Sequence, residues 1–269
     1  MTVLEMFSYA FMQRALVAGI FTALSCAALG CFLVLRRFAM IGDGLAHVGF
    51  AAVALSLVLG LAPLTLALPL VMLLSLWILK LGEKTTLYGE TAVGLVSSLA
   101  MAAGVLLAGS GGGFNIDLSG YLFGSILAIK ESELILSVIL SAGVVLVIKL
   151  FYYDLFSLTY DEEFARVSGV KTGRIEKLLI LLTALTVVLG IRVVGALLIS
   201  SLIIFPAVTA LQLSKGFRAT ILIAMACGVF SVTAGITASF WLELSTGATI
   251  VIVNFLLFIA AFAYSRIKS

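Results

Sequence analysis

Nine uninterrupted apolar runs, most of them about 20 residues long, constrain the fold of this chain more than any other sequence feature. A helix needs about 20 apolar residues to cross the hydrocarbon core of a bilayer. Within lipid, only helices and closed barrels pair every backbone polar group, and barrel strands are short and alternate in polarity. Because the runs are long and continuous, they predict membrane-spanning helices over residues 15–35, 39–60, 61–79, 91–109, 132–151, 178–191, 193–213, 219–241 and 248–264.

The composition excludes several functional classes. Hydrophobic residues make up 63% and charged residues 11% of the 269-residue chain. A soluble domain carries roughly 45–50% apolar and about 25% charged residues. The chain therefore lacks the polar surface that a soluble enzyme, a nucleic-acid-binding protein or a disordered chain would need. We predict an all-α, polytopic transmembrane helical bundle, with residues 1–269 forming a single domain.

One apolar run is too short to span a membrane by itself. Residues 178–191 would form about 21 Å of helix, against a hydrocarbon core of about 30 Å. Either this helix begins earlier, near Arg174, or it is a half-span packed inside protein. The sequence therefore predicts eight or nine spans.

The basic residues predict the orientation of the bundle, since cytoplasmic loops of membrane proteins carry an excess of Lys and Arg. With the N-terminus outside, 13 of the 16 Lys and Arg residues fall on the cytoplasmic side, and only Arg14, Lys130 and Arg192 remain outside. The opposite orientation would invert this ratio. We therefore expect a multi-pass protein of the cell membrane with an outer N-terminus and a cytoplasmic C-terminus.

Two connections between the runs are longer than a turn. The outer one, residues 110–131, begins with glycines and ends in a short apolar stretch, which suits a re-entrant or interfacial helix. The cytoplasmic one, residues 152–177, contains nine charged residues, the highest charge density in the chain. Three acidic residues beginning at Asp161 precede Arg166, and acidic residues in a first turn complement the helix dipole. We therefore predict a short docking helix within this loop.

One carboxylate lies well inside an apolar run: Asp43, four residues before His47, the single histidine of the chain. This spacing puts both side chains on one helical face, about 6 Å apart. Counted from Arg37, Asp43 lies about 9 Å and His47 about 15 Å deep, close to the midplane of the core. Carboxylate and imidazole groups are both good ligands for a divalent transition metal. The pair predicts part of a metal path. In the alternative reading, Asp43 is a helix N-cap and His47 an ordinary interior histidine.

Pro206 removes a backbone hydrogen bond from its apolar run, which predicts either a structural kink or a gate. Ser200, Ser201 and Thr209 lie nearby in sequence and are expected to satisfy the freed backbone groups. The chain contains no GxxxxGKS/T, HExxH or GxSxG motif, so neither ATP binding by a P-loop nor catalysis is predicted.

Five segments carry recognisable motifs. The first is GDGLAH in the second run, preceded by the basic pair between the first two runs. The other four follow in this order: LSGYLFGSILAI, YDEEFARVSGV, VVGALLISSLIIFPAVTA and LSTGATIVIVNFLLF. In order and spacing they resemble the zinc/manganese-type (metal-ion) ABC transporter permease family, whose fold is related to that of type II ABC importers. GDGLAH is similar to the GDxxxH segment of that family, and YDEEFARVSGV resembles its cytoplasmic element that couples to the ATPase.

This resemblance implies a homodimeric permease that works with two cytoplasmic ABC ATPase subunits and an extracytoplasmic metal-binding protein. It also implies that Asp43 and His47 line the path of the substrate, Zn²⁺ or Mn²⁺, with no cofactor bound by the chain itself. For the coupling element, the resemblance implies contacts with the ATPase by Asp161, Glu162, Phe164, Ala165, Arg166 and Gly169.

We therefore predict the permease subunit of an ABC importer for a divalent transition metal, powered by a separate ATPase. Histidine favours zinc, and the carboxylate suits manganese, the next candidate. The alternative is a self-sufficient ion-coupled secondary metal transporter, a class that shows internal repeats and broken helices. The sequence shows no convincing repeat and no chain of intramembrane carboxylates. An intramembrane enzyme is a third hypothesis, which no pairing of a nucleophile with a base supports. A neighbouring gene for a Walker-type ATPase would favour the importer.

Overall fold

The computed structural model describes residues 9–84, 89–110 and 131–268, and these residues form helices joined by short connections. No strand occurs within the described ranges, which confirms the prediction of an all-α fold. The helices are α1 (Ala10–Leu35), α2 (Ile41–Val58), α3 (Pro63–Lys84), α4 (Gly89–Ser110), α5 (Glu131–Leu150), α6 (Tyr152–Tyr160), α7 (Glu162–Val167), α8 (Thr172–Val194), α9 (Ala196–Leu213), α10 (Phe217–Leu242) and α11 (Thr246–Lys268).

Nine of the described helices, all except α6 and α7, have 18 residues or more. Seven of these nine, α1 to α5, α10 and α11, are long and apolar enough to cross a membrane. The short run 178–191 is the middle of α8, which begins at Thr172 and contains 23 residues, about 35 Å of helix. The earlier start is therefore the one observed. A transmembrane helical bundle is confirmed, and a count of eight or nine spans is an approximation to it.

Helix α1 forms the centre of the bundle. It contacts α5, α8, α9 and α10, and most of its apolar length is buried. Small residues on its surface let neighbouring helices approach closely. A Cβ atom on Gly30 would lie 2.0 Å from the carbonyl oxygen of Ile203, so the backbones of α1 and α9 are in contact here. This close approach of the two backbones requires that position 30 carry no side chain.

The segment 152–177 contains the two short helices and the beginning of α8. Helix α7 has acidic residues in its first turn, and Asp161 caps it by accepting a hydrogen bond from the backbone N–H of Phe164 at 2.9 Å. Gly169 follows α7 with a φ of +90°, a conformation that favours glycine. The predicted short helix is therefore confirmed. The outer segment 110–131 lies almost wholly outside the described residues, so its predicted interfacial helix stays a prediction.

Candidate functional site

Asp43 and His47 lie on one face of α2, as their spacing predicted. The Oδ2 atom of Asp43 is 3.5 Å from Nε2 of His47, and the two side chains are 33% and 23% exposed. This separation is longer than a well-formed hydrogen bond, so both side chains remain able to bind another group. Asp43 does not cap α2, because Met40 occupies the N-cap position and Asp43 lies in the first turn. Of the alternative readings, the N-cap is therefore wrong.

The two glycines beside Asp43 allow α2 to pack closely on both sides. A Cβ atom on Gly42 would lie 2.7 Å from Cδ1 of Ile203, on α9, and one on Gly44 would lie 2.4 Å from Cγ1 of Val93, on α4. Side chains at these positions would force the side chains of Ile203 and Val93 to shift. The Gly-Asp-Gly sequence therefore holds the Asp43 carboxylate between α4 and α9.

Ser200, on α9, is the polar partner of Asp43 that sequence reasoning did not identify in this role. Its hydroxyl donates a hydrogen bond to Oδ1 of Asp43 at 3.3 Å. The oxygen Oδ1 therefore faces α9, and Oδ2 faces His47. The available sequence signal is a serine six residues before Pro206, and the sequence alone predicts that this serine bonds to the backbone of its own helix.

The expected role of the three hydroxyls near Pro206 is wrong. Ser200 donates to Asp43, and Ser201 accepts a hydrogen bond from the Nδ2 amide of Asn254, on α11, at 3.4 Å. The buried Oγ1 atom of Thr209 has no hydrogen-bond partner among the described residues. The serines therefore join α9 to α2 and α11, because polar groups of those helices compete for them. Helix α9 continues through Pro206.

An open cavity of about 660 Å³ lies beside His47. Ser97, Ser98 and Met101 of α4 are among the residues that line it. Within the described ranges, no group of three or more His, Cys, Asp or Glu side chains is close enough to hold a metal ion. One chain therefore places two candidate metal ligands, Asp43 and His47, next to a cavity that opens at the surface of the bundle.

Arg36 joins the end of α1 to three elements at the same end of the bundle. Its Nη1 donates to the carbonyl oxygen of Leu158 at 2.8 Å, and its Nη2 lies 3.4 Å from Glu162 Oε2 and 2.5 Å from Glu176 Oε1. Arg166 contacts the other carboxylate oxygen of Glu162 at 3.1 Å. Sequence reasoning did not find this network, because Arg36 is more than 120 positions from each of its three partners. Through Arg36, the segment 152–177 is held against α1 and α8.

The remaining residues predicted for the coupling element divide into a structural and an exposed group. Asp161 caps α7, Ala165 is fully buried, and Gly169 forms the turn after the helix. Phe164 is instead an exposed apolar side chain, and Val167, which was not among the predicted residues, lies on the same short helix and is 88% exposed. Exposed apolar side chains beside charged residues are typical of a protein contact surface.

The chain is similar to known proteins in both sequence and structure. The sequence model of the ABC 3 transport family matches residues 8–265. The manganese transport system membrane protein MntC of Halalkalibacterium halodurans is 31% identical over 261 residues, which cover 97% of this chain and 89% of that protein. The high-affinity zinc uptake system membrane protein ZnuB of Haemophilus influenzae is 32% identical over 248 residues, covering 91% and 94%. PsaBC from Streptococcus pneumoniae, solved in complex with Fab, matches with a TM-score of 0.88 and 27% identity over 100% of both chains.

Proposed function

The chain belongs to the ABC 3 transport family, and from this premise we propose that it is the permease subunit of an ABC importer for a divalent transition metal. The observation that carries the proposal is the pairing of Asp43 and His47 beside an open cavity in the membrane-spanning bundle. The permease itself has no enzymatic role here, and a separate ATPase subunit supplies the energy. The metal ion is the substrate, and the chain needs no cofactor of its own.

As the metal ion crosses the membrane, the side chains of Asp43 and His47 bind it transiently. Transport needs binding that is favourable enough for entry and weak enough for release. Two strong ligands per chain meet this requirement better than a closed tetrahedral site, which would hold zinc permanently. Zinc is our first candidate because it prefers imidazole, and manganese is the second because it suits oxygen ligands. Relatives named for both metals are consistent with either choice.

A homodimer would complete the path. The cavity beside His47 opens on the face of α4 that also exposes Leu99 and Leu106. An exposed apolar face of this kind contacts either lipid or a second protein. A second copy of the chain on this face would bring two aspartates and two histidines toward one path.

Segment 152–177 couples the permease to the ATPase. Phe164 and Val167 of α7 enter a groove of the ATPase, and the charged side chains around them fix the orientation. Movement of α7 reaches α1 and α8 through Glu162 and Arg36. Since Arg36 lies in the connection to α2, only seven positions before Asp43, the same movement alters the ligand pair.

The orientation follows from the basic residues. The end of the bundle that contains Arg36 and segment 152–177 faces the cytoplasm, and the N-terminus lies outside the cell membrane. The C-terminus is then cytoplasmic. An extracytoplasmic metal-binding protein delivers the ion at the opposite end, where residues 110–131 connect α4 to α5.

Reconstitution distinguishes this proposal from a self-sufficient secondary metal transporter. The full chain is placed in proteoliposomes with and without its ATPase and binding protein, and zinc and manganese uptake is measured with ATP or with an ion gradient. We expect uptake only when all three proteins and ATP are present. Uptake by the chain alone, driven by a proton or sodium gradient, would establish the secondary transporter instead.

A further inference from the structure

A second cavity, of about 450 Å³, lies on another side of the bundle between α5 and α10. Its floor is Ala28 of α1, and its walls include Val145, Ile148, Leu222 and Met225. Ala28 lies seven residues before the end of α1, which puts the floor about 10 Å below the end of that helix. The groove is therefore apolar, and it extends into the depth that lipid acyl chains occupy.

Two basic residues stand at the mouth of this groove. Arg218 donates a hydrogen bond to the hydroxyl of Tyr153 at 2.7 Å, and its Cζ atom lies 5.2 Å and 5.6 Å from the ring centroids of Tyr152 and Tyr153. Lys149 lines the same groove. Among the described residues, no carboxylate forms an ion pair with Arg218 or Lys149. The two rings hold the guanidinium in place and leave most of its N–H donors free.

We propose that this groove is a binding site for an anionic phospholipid of the leaflet at the basic end of the bundle. One acyl chain lies between α5 and α10, and the phosphate group contacts Arg218 and Lys149. Guanidinium groups bind phosphate in a bidentate geometry, and tyrosines are common at the level of lipid headgroups. Basic pockets between transmembrane helices on the cytoplasmic side bind anionic headgroups in this way.

The position of the groove favours a lipid over other occupants. A free phosphate ion would use the two cations but not the apolar groove beneath them. A second copy of the chain is proposed to lie against α2 and α4, whereas this groove is formed by α1, α5 and α10. The lipid site depends on the membrane-spanning fold and not on the transported metal, so it stands or falls separately from the proposed import function.

Native mass spectrometry of the full chain in mild detergent tests the proposal. The protein is incubated with phosphatidylglycerol or with phosphatidylcholine of the same acyl chains, and the retained lipid is counted. We expect retention of phosphatidylglycerol to exceed that of phosphatidylcholine about tenfold or more, since each basic residue near an anionic headgroup contributes about fivefold. In the Lys149→Gln/Arg218→Gln variant this preference should disappear.

Two further variants separate a groove-bound lipid from simpler explanations. The control variant Arg266→Gln/Lys268→Gln also removes two positive charges, but from the last turn of α11. These cations lie near aromatic rings but do not line the groove, so the preference for phosphatidylglycerol should remain. Val145→Trp fills the groove and keeps both cations, and should abolish retention.

Equal retention of the two lipids by the unmodified chain would overturn the proposal. So would unchanged binding in Val145→Trp, which would indicate a headgroup or phosphate ion held without its acyl chain. If the unmodified chain retains neither lipid and a Leu222→Cys variant cross-links two copies of the chain, the groove is a dimer contact instead.

Discussion

The guanidinium of Arg36 lies 2.5 Å from a carboxylate oxygen of Glu176 and so ties the end of α1 to the first turns of α8. The two side chains are only 10% and 14% exposed, which makes this a largely buried ion pair. Glu162 contacts the same guanidinium from the segment that we propose to bind the ATPase. Arg36 is therefore placed to transmit a movement of α7 to helices α1 and α8.

Arg36→Met should destabilise the protein by about 3 kcal/mol, because it removes a largely buried guanidinium that contacts the carboxylates of both Glu162 and Glu176. Arg37→Met is the matched control, since Arg37 is the next residue, is exposed and forms no ion pair with another described residue. Thermal unfolding of both purified variants is the measurement. Equal unfolding temperatures for the two variants would show that the Arg36 ion pair does not hold α1 and α8 together.

Gly30→Ala should weaken the contact between α1 and α9 and lower the stability by about 2 kcal/mol or more. The new methyl group would meet the carbonyl oxygen of Ile203, which is backbone and cannot rotate away. Gly143→Ala, in α5, is the control because a Cβ atom there has no neighbour within 4 Å. If both variants unfold at the unmodified protein's temperature, the close approach of the two backbones is not present in the membrane.

Replacing Phe164 and Val167 with serine should separate ATP hydrolysis from transport. Both side chains are exposed, so the permease should still fold and insert, but the contact with the ATPase should be lost. Ile267→Ser is a control, since Ile267 is 88% exposed, the same as Val167, but lies near the end of α11. Metal-stimulated hydrolysis and uptake are measured in the complex. Full coupling in the double variant would exclude α7 as the contact surface.

Much of the fold was predictable because long apolar runs have only one stable solution in lipid. The ranges predicted for most helices agree with the structure within a few residues, and the i,i+4 spacing placed Asp43 and His47 together. The partners of these residues were not predictable in the same way. Ser200 reaches Asp43 across 157 positions, and this contact depends on helix packing, which hydropathy does not encode.

The boundary between α8 and α9 shows a second limit. A single residue, Gly195, separates them, with a φ of +91° that favours glycine. In an apolar run a glycine also serves close helix packing, so its sequence context does not distinguish a break from a contact. The start of α8 was uncertain for a related reason, because its first turns contain charged residues that lie outside the apolar run.

Cysteine labelling tests the orientation. In a background without Cys227, which is only partly buried, a Ser168→Cys variant should react with a membrane-impermeant reagent only from the cytoplasmic side. Ser168 is exposed directly after α7. A Ser110→Cys variant, at the end of α4, should react only from outside. Labelling in the reverse pattern would show that the chain has the opposite orientation and that the proposed ATPase contact lies outside the cell.

The central claim is that Asp43 and His47 carry the metal through the membrane. Asp43→Ala should reduce uptake of both metals, because it removes the negative charge that attracts a divalent cation. His47→Ala should reduce zinc uptake more than manganese uptake, because imidazole is the ligand that zinc prefers. Neither variant touches segment 152–177, so both should insert and bind the ATPase. Glu131→Ala, which removes an exposed carboxylate at the start of α5, is the control for a general loss of negative charge.

Zinc and manganese uptake by the Asp43→Ala/His47→Ala variant, in proteoliposomes with the ATPase and binding protein and at matched amounts of permease, tests this claim most directly. We expect a loss of about 100-fold or more for both metals, since changes to groups that only support a metal ligand already cost 10–100-fold. Basal ATP hydrolysis should remain at the level of the unmodified complex. Uptake of either metal at the unmodified rate would mean that the pair is structural and that the ion takes another path.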